Sequence, residues 1–76
     1  MNIMVRAKFV VDSILQHRGG TNVTLVPVFN GSEENKMFWK FTPSGKFDIN
    51  MNEGVEAADY FEVGQEYYID FTLVSK

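Results

Sequence analysis

Apolar and polar residues alternate along the first part of the chain, which is the pattern of a β-strand with one buried face. Residues 4–15 form the first such stretch, with Val5 and Phe9 among the residues on its apolar side. The alternation is interrupted at Val10 and Val11, which predicts a bulge or bend there. A long strand bent in this way could serve two parts of a small barrel.

A second strand is predicted over residues 22–29, after a turn at residues 16–20. Gly19 and Gly20 favour that turn because glycine adopts positive φ without steric cost. Pro27 has no N–H to donate to a sheet. We therefore expect the second strand to be at an edge, or bulged, at Pro27.

The strongest local turn signal lies within residues 37–51. Between Thr42 and Lys46, Pro43 occupies the second position of a type I turn and Gly45 the position of a left-handed bulge residue. This turn predicts a β-hairpin in which Thr42 pairs with Lys46.

The register of that hairpin assigns the side chains to two faces. One face is apolar and contains Met37, Trp39, Phe41, Phe47, Ile49 and Met51. Lys40 and Asp48 lie opposite each other on the other face, beside Phe38. A slip of one residue would set core residues against polar ones, so the pattern favours this register.

Residues 53–61 carry Val55, Ala58 and Phe61 at helical spacing, which predicts a short α-helix or a 3₁₀ turn. The last strand is predicted over residues 66–74. Its apolar side contains Tyr67, Ile69, Phe71 and Leu73, and its polar side Tyr68, Asp70 and Thr72.

The order of these elements predicts a mainly β protein with five strands and one short helix before the last strand. A flat sheet of five strands in 76 residues would leave apolar surface exposed to solvent. We therefore expect a single domain, residues 1–76, that folds as a small, strongly bent five-stranded barrel. An OB-like barrel has its helix between the third and fourth strands. The predicted helix position suits an SH3-like barrel better, and both topologies stay open.

Composition bears on the chemistry more than on the fold. The 76 residues include no cysteine and one histidine, which argues against disulfides, thiolate metal sites and histidine clusters. His17 lies in a glycine-rich turn with no nucleophile or orienting partner marked beside it, and Asp48, Glu66 and Asp70 belong to a solvated face. We expect no enzyme activity, no metal and no cofactor.

The charge is divided unevenly along the chain. Residues 1–46 carry a net charge of +3 and residues 47–76 a net charge of −6. An overall acidic chain is unsuited to non-specific duplex binding, although its basic half could present a local positive surface. No apolar run is long enough to span a membrane and no signal sequence follows Met1, so we expect a soluble, intracellular protein.

One group of residues combines aromatic rings with cations on predicted outward positions. We predict that this group binds a ligand or partner: Arg6, Lys8, Lys36, Phe38, Lys40, Lys46 and Tyr68. Rings between lysines suit nucleotides or single-stranded nucleic acid, because bases stack and phosphates meet the cations. The same residues could instead form a subunit interface with solubilising charges at a sheet edge.

Four segments together resemble a group of small proteins of tailed bacteriophages and prophages. They are Met-Val-Arg-Ala-Lys-Phe, Pro-Val-Phe-Asn-Gly-Ser-Glu-Glu-Asn-Lys, Phe-Thr-Pro-Ser-Gly-Lys and Phe-Glu-Val-Gly-Gln-Glu-Tyr-Tyr-Ile-Asp-Phe-Thr. The resemblance covers nearly the whole chain, but it carries no activity that can be transferred to particular residues. It implies a role in the cytoplasm of an infected host bacterium.

The sequence and this resemblance predict a non-catalytic binding protein that acts on a host component. The expected partner is a host protein or a nucleotide ligand, for a counter-defence inhibitor or a sponge for a nucleotide signal. The alternatives are a barrel that binds single-stranded DNA and an accessory protein of the virion. Because so small a core is marginal by itself, we also expect a homo-oligomer.

Overall fold

A computed structural model describes residues 4–29, 32–40 and 42–75. Within these ranges the protein is mainly β, and four antiparallel strands form one curled half-barrel in the order β3-β2-β1-β4. The strands are β1 (Met4–His17), β2 (Gly20–Pro27), β3 (Phe47–Asn52) and β4 (Glu66–Thr72). Two short 3₁₀ helices join them, η1 (Glu34–Met37) and η2 (Glu56–Asp59).

The hairpin of β1 and β2 confirms the first two predicted strands and the turn between them, although β1 ends two residues later than predicted and β2 begins and ends two residues earlier. His17 pairs with Gly20 across the turn, and Gly19 has a φ of +94°. The register shifts between Val11 and Ser13, next to the predicted interruption. This bulge bends β1 so that its first half pairs with β4 and its second half with β2.

Pro27 is the last residue of β2, and at this position β2 no longer pairs with β3, so it is an edge strand there, as predicted. Strand β3 pairs with β2 only as far as Leu25. The N–H of Val28 donates to the carbonyl of Lys8 on β1, so the nitrogen of Pro27 points the other way. No ladder hydrogen bond is lost to the proline.

The predicted hairpin over residues 37–51 is wrong in its first strand. Met37 ends η1, Phe38–Lys40 contain no strand, and Phe41 lies outside the described residues. The second predicted strand exists as β3, but it pairs with β2, with Val23 opposite Ile49. A closed five-stranded barrel is therefore not confirmed.

The physical reason is that a turn pattern and an alternating pattern do not choose a partner strand. Gly45 has positive φ, at +137°, as the predicted turn requires. However, any neighbouring strand with apolar residues in the same alternation can continue the apolar face of β3, and in β2 Val23 and Leu25 do so opposite Ile49 and Phe47. The chain around Met37 is instead held in η1 by hydrogen bonds to β1, described below.

The core lies on the inner face of the half-barrel. Its buried residues are Ala7, Phe9, Val11, Val23 and Leu25. Packed against them are Ile14, Trp39, Phe47, Met51, Phe61, Tyr67 and Ile69. Trp39 and Phe47 thus share the core side as predicted, without forming a hairpin, whereas Met37 is exposed.

The molecule is thin for its length. Its extents are 42 × 35 × 16 Å and its radius of gyration is 14.0 Å, against about 11 Å for a compact chain of this size. The short helix predicted before the last strand is confirmed as η2. Strand β4 ends at Thr72, two residues before the predicted end, and Leu73 and Val74 are 72% and 84% exposed.

Candidate partner-binding surface

The helix η1 is attached to β1 by one asparagine that sequence patterns did not single out. Asn35 is 3% exposed, and its amide nitrogen donates to the carbonyls of Lys8 at 2.9 Å and Val28 at 3.1 Å. Its side-chain oxygen accepts the N–H of Lys8 at 2.6 Å. Asn35 therefore supplies hydrogen-bond partners for the N–H and carbonyl of Lys8, next to the last pair between β1 and β2.

The backbone of Asn35 also fixes the residues that follow. Its carbonyl accepts the N–H groups of both Phe38 and Trp39 at 3.0 Å. The Trp39 ring then packs edge-on against Phe9 of the core, with ring centroids 6.3 Å apart. Two aromatic residues are in this way held at the margin of the core by a buried polar anchor.

Three rings form a continuous surface at this margin, which we call the aromatic patch: Phe38, Trp39 and Phe71. The Phe38 centroid lies 5.3 Å from that of Trp39 and 6.1 Å from that of Phe71. Phe38 is 40% exposed and Phe71 is 48% exposed. The patch is anchored on one side by the core and open to solvent on the other.

Two of the predicted cations lie beside the patch. Lys36 and Lys40 line a cavity of about 150 Å³ together with Phe29 and Trp39. Lys36 forms an ion pair with Glu33 at 3.0 Å. Phe38 itself, predicted on the outer face beside Lys40, packs on the core side against Phe71.

The outer face of β1 and β4 brings together three other predicted residues. The guanidinium of Arg6 donates twice to the Asp70 carboxylate, at 2.6 and 3.1 Å, and lies 4.6 Å from the centre of the Tyr68 ring. Lys8 lies 5.8 Å from the same ring and 4.0 Å from the Glu66 carboxylate. The three residues meet as predicted, but carboxylates from β4 neutralise the cations.

The ion pairs shift the pKa values of several surface groups. The hydrogen bonds from Arg6 lower the pKa of Asp70, and Asp70 in turn raises the pKa of Arg6. Hydrogen bonds from its own backbone and from Ser32 lower the pKa of Glu34, which also accepts the Tyr68 hydroxyl at 3.4 Å. These groups form a network of fixed charges on an exposed face.

Lys46, the remaining predicted residue, directly precedes β3 and forms an ion pair with Asp48 at 3.4 Å. The hydroxyl of Thr24 donates to the Asp48 carboxylate and is the main cause of a lowered Asp48 pKa; Lys46 contributes further. The seven predicted residues therefore do not form one site. They divide between the aromatic patch, the outer face of β1 and β4, and the start of β3.

The second notable concavity is acidic. A cleft of about 380 Å³ lies between the β1–β2 turn and η2, and Glu53, Glu56 and Asp59 line it beside His17. The Nδ1 of His17 donates to the carbonyl of Arg18 at 2.9 Å. Among the described residues no group of histidine and carboxylate side chains could hold a metal ion. Such a cleft repels phosphate.

A search of protein-family models, of curated proteins and of solved structures finds no match to this chain. Within the described part of the chain, no helix has the length and apolar character needed to cross a membrane.

The lowered pKa values predict how stability depends on pH. Asp70, Glu34 and Asp48 have lower pKa values in the folded state than in the unfolded chain, so their charged forms stabilise the fold. This stabilisation is complete above the ordinary carboxyl pKa range, about pH 4 to 4.5, and is lost as the pH falls through the lower pKa values of the folded state. We expect the midpoint of urea unfolding to fall on acidification from about pH 6 to about pH 3.

The Asp70→Asn variant should be less stable than wild type at the upper pH and converge with it at the lower one. Asp59→Asn removes an exposed carboxylate of η2 and serves as the control, with a pH profile parallel to wild type. A wild-type midpoint that is flat over this range contradicts the prediction.

Proposed function

We propose that this chain is a non-catalytic binding protein that engages a host protein through the aromatic patch. The observation that carries the proposal is the position of Phe38 and Trp39. Both are fixed by the buried Asn35, and Phe38 remains 40% exposed. Rigid aromatic side chains that lose little entropy on binding are the residues that dominate protein interfaces.

The cavities favour a protein partner over a nucleotide messenger. Small-molecule sites usually enclose about 300–1,000 Å³, and the cavity beside Lys36 and Lys40 has about 150 Å³. Two cavities beside η2 are larger, at about 380 and 450 Å³, and both are lined by Glu56 and Asp59, whose carboxylates oppose a phosphate. A flat aromatic surface suits the side chains of another protein better.

The resemblance to proteins of tailed bacteriophages supplies the proposed setting. In that setting the partner is a host protein in the bacterial cytoplasm, and the effect of binding is inhibition of a host defence. We further propose that the chain acts as a homo-oligomer. The thin half-barrel, with a radius of gyration of 14.0 Å, supports this because only five apolar residues of its described part are buried in one copy.

A second candidate function is binding of single-stranded DNA. It is supported by Lys36 and Lys40, which line one cavity with the Trp39 ring, since rings and cations together hold single strands. The ion pairs weigh against it. Arg6, Lys8, Lys36 and Lys46 each have a carboxylate within 4.0 Å, which lowers the positive charge available to phosphates.

The test of the first function is a pulldown from the lysate of a defence-carrying host, analysed for proteins and for co-purifying nucleotides. Three baits are compared: wild type, Phe38→Ala, and Leu15→Ala as a control with an exposed apolar residue outside the patch. We expect a host protein on the wild-type and Leu15→Ala baits. Titration with that purified protein should show about 30-fold weaker binding for Phe38→Ala.

Equal binding by Phe38→Ala and wild type would reject the aromatic patch as the site. A nucleotide on the wild-type bait with no protein would favour the signal sponge. For the second function, anisotropy of a labelled oligonucleotide at low ionic strength compares wild type with the Phe38→Ala, Lys40→Ala double variant. Binding that falls steeply with salt and is lost in the double variant supports it.

A further inference from the structure

The outer edge of β4 carries a row of backbone groups directed away from the sheet. The N–H and carbonyl of Lys8 face β2 and Asn35, so those of its neighbours Ala7 and Phe9 face β4. Ile69 lies opposite Ala7 and Tyr67 lies opposite Phe9, so the N–H and carbonyl groups of these two β4 residues point towards β1. By alternation, the outward-directed peptide groups of β4 belong to Glu66, Tyr68, Asp70 and Thr72.

This edge carries only part of the usual protection against pairing. Its seven residues contain no proline, lysine or arginine, its charges are the two carboxylates Glu66 and Asp70, and no described strand lies beyond it. The side chains of the inner face continue to the edge, where Phe71 is 48% exposed. An edge of this kind is a template for another strand.

We propose that the strand completing this edge is β4 of a second copy, antiparallel, with the two-fold axis at Ile69. This inference rests on the homo-oligomer proposed above and specifies its edge and register. The inner-face pairs are then Ile69 with Ile69 and Tyr67 with Phe71, in which the Tyr67 hydroxyl keeps its hydrogen bond to Tyr60. The outer-face pairs are Glu66 with Thr72 and Tyr68 with Asp70.

Among the neighbouring registers, this one sets no carboxylate directly opposite another, because each acid of β4 faces a neutral residue. An axis at Tyr68 would set Glu66 opposite Asp70 twice, and an axis at Asp70 would set that carboxylate against its own copy. Like charges directly opposite each other destabilise a sheet. An axis between two residues would mix the inner and outer faces. The axis at Ile69 avoids both faults and pairs all four outward residues of β4.

Single cysteines test the register, because the chain contains none of its own. In the proposed pairing, Ile69 meets its own copy in a non-hydrogen-bonded pair, with Cβ atoms about 4.5–5.5 Å apart, close to disulfide geometry. We expect mild oxidation to link Ile69→Cys into a covalent dimer. Tyr68→Cys and Asp70→Cys are the controls and should stay unlinked.

Each control reports a competing register. A link through position 68 or 70 would place the axis there and overturn the proposed register, and a chain in which none of the three links would overturn the pairing. Since Ile69 packs against the core, a second measurement does not depend on it.

The second measurement is the mass in solution by light scattering at high micromolar concentration. Wild type should approach twice 8.7 kDa. Thr72→Pro should remain a monomer, because its missing N–H belongs to the free edge and the ladder to β1 is kept. Asn50→Pro makes the same change on the free edge of β3 and should stay dimeric.

A strict wild-type monomer, or a dimer that Asn50→Pro abolishes and Thr72→Pro leaves intact, would overturn the inference. At the same position, Thr72→Lys faces Glu66 of the copy and should tighten the dimer about threefold to tenfold, while Thr72→Glu should weaken it by a similar factor.

The outcomes are separable from those of the proposed function. A monomer that still binds a host protein through Phe38 would reject only the β4 pairing. A dimer whose aromatic patch binds no host protein would reject only the function.

Discussion

Replacing Gly20 by alanine is expected to destabilise the fold by about 3 kcal/mol, the upper end of the usual cost of overpacking. Gly20 is buried at the first position of β2, opposite Asn52 of β3. A Cβ at this position would overlap the carbonyl oxygen of Met51 and lie 3.0 Å from its carbonyl carbon. Backbone cannot yield as a flexible side chain does, so β2 and β3 must separate at this end.

This loss is a large fraction of the total free energy of unfolding, because a domain of 76 residues has a stability of about 4–11 kcal/mol. Urea unfolding followed by circular dichroism measures it. Gly19→Ala is the matched control. Gly19 has open space around its Cα and a φ of +94°, so alanine there costs about 1 kcal/mol of backbone strain. A smaller loss at Gly20 than at Gly19 would show that the two strands do not approach so closely.

The second large effect is expected at Asn35. Asn35→Ala removes three hydrogen bonds to the backbone of Lys8 and Val28. Each buried group left without a partner costs about 1–3 kcal/mol, and partial entry of water brings the expected total loss to about 2–3 kcal/mol. The helix η1 would then lose its attachment to β1.

Trp39 provides a direct measurement of that attachment, since it is the only tryptophan. In Asn35→Ala below the unfolding transition, we expect its emission to shift to longer wavelength as the ring leaves Phe9. Asn52→Ala, at the exposed end of β3, is the control and should change stability by less than about 0.5 kcal/mol. Unchanged emission and stability in Asn35→Ala would show that η1 is held by other contacts.

The connection between Asn35 and the aromatic patch explains what the sequence could predict about the site. Arg6, Lys8 and Tyr68 follow strict alternation on two strands, and all three lie on the predicted outer face. Their neutralisation by Asp70 and Glu66 was not predictable, because it depends on β1 pairing with β4 across more than fifty residues. Asn35 left no signal, since a polar residue in a polar segment looks the same whether it is buried or solvated.

The failure of the predicted hairpin has a related cause. Pro43 and Gly45 indicate a change of chain direction, and Gly45 has the positive φ that was expected. A turn signal does not require the flanking residues to pair with each other. Around Met37 the chain forms η1 because Asn35 binds β1, and β3 is left to pair with β2.

By itself, the sequence determined the local properties of this protein: the approximate positions of β1, β2, β3 and β4, which side chains within these strands face inward, and where the glycines turn the chain. Alternation and backbone freedom act within a few residues, so they can be recognised without a partner. The tertiary structure alone decided which strands pair, which edges stay open, and that Phe38, Trp39 and Phe71 meet. Those features depend on competition between segments distant in the chain for the same backbone groups and the same apolar surface.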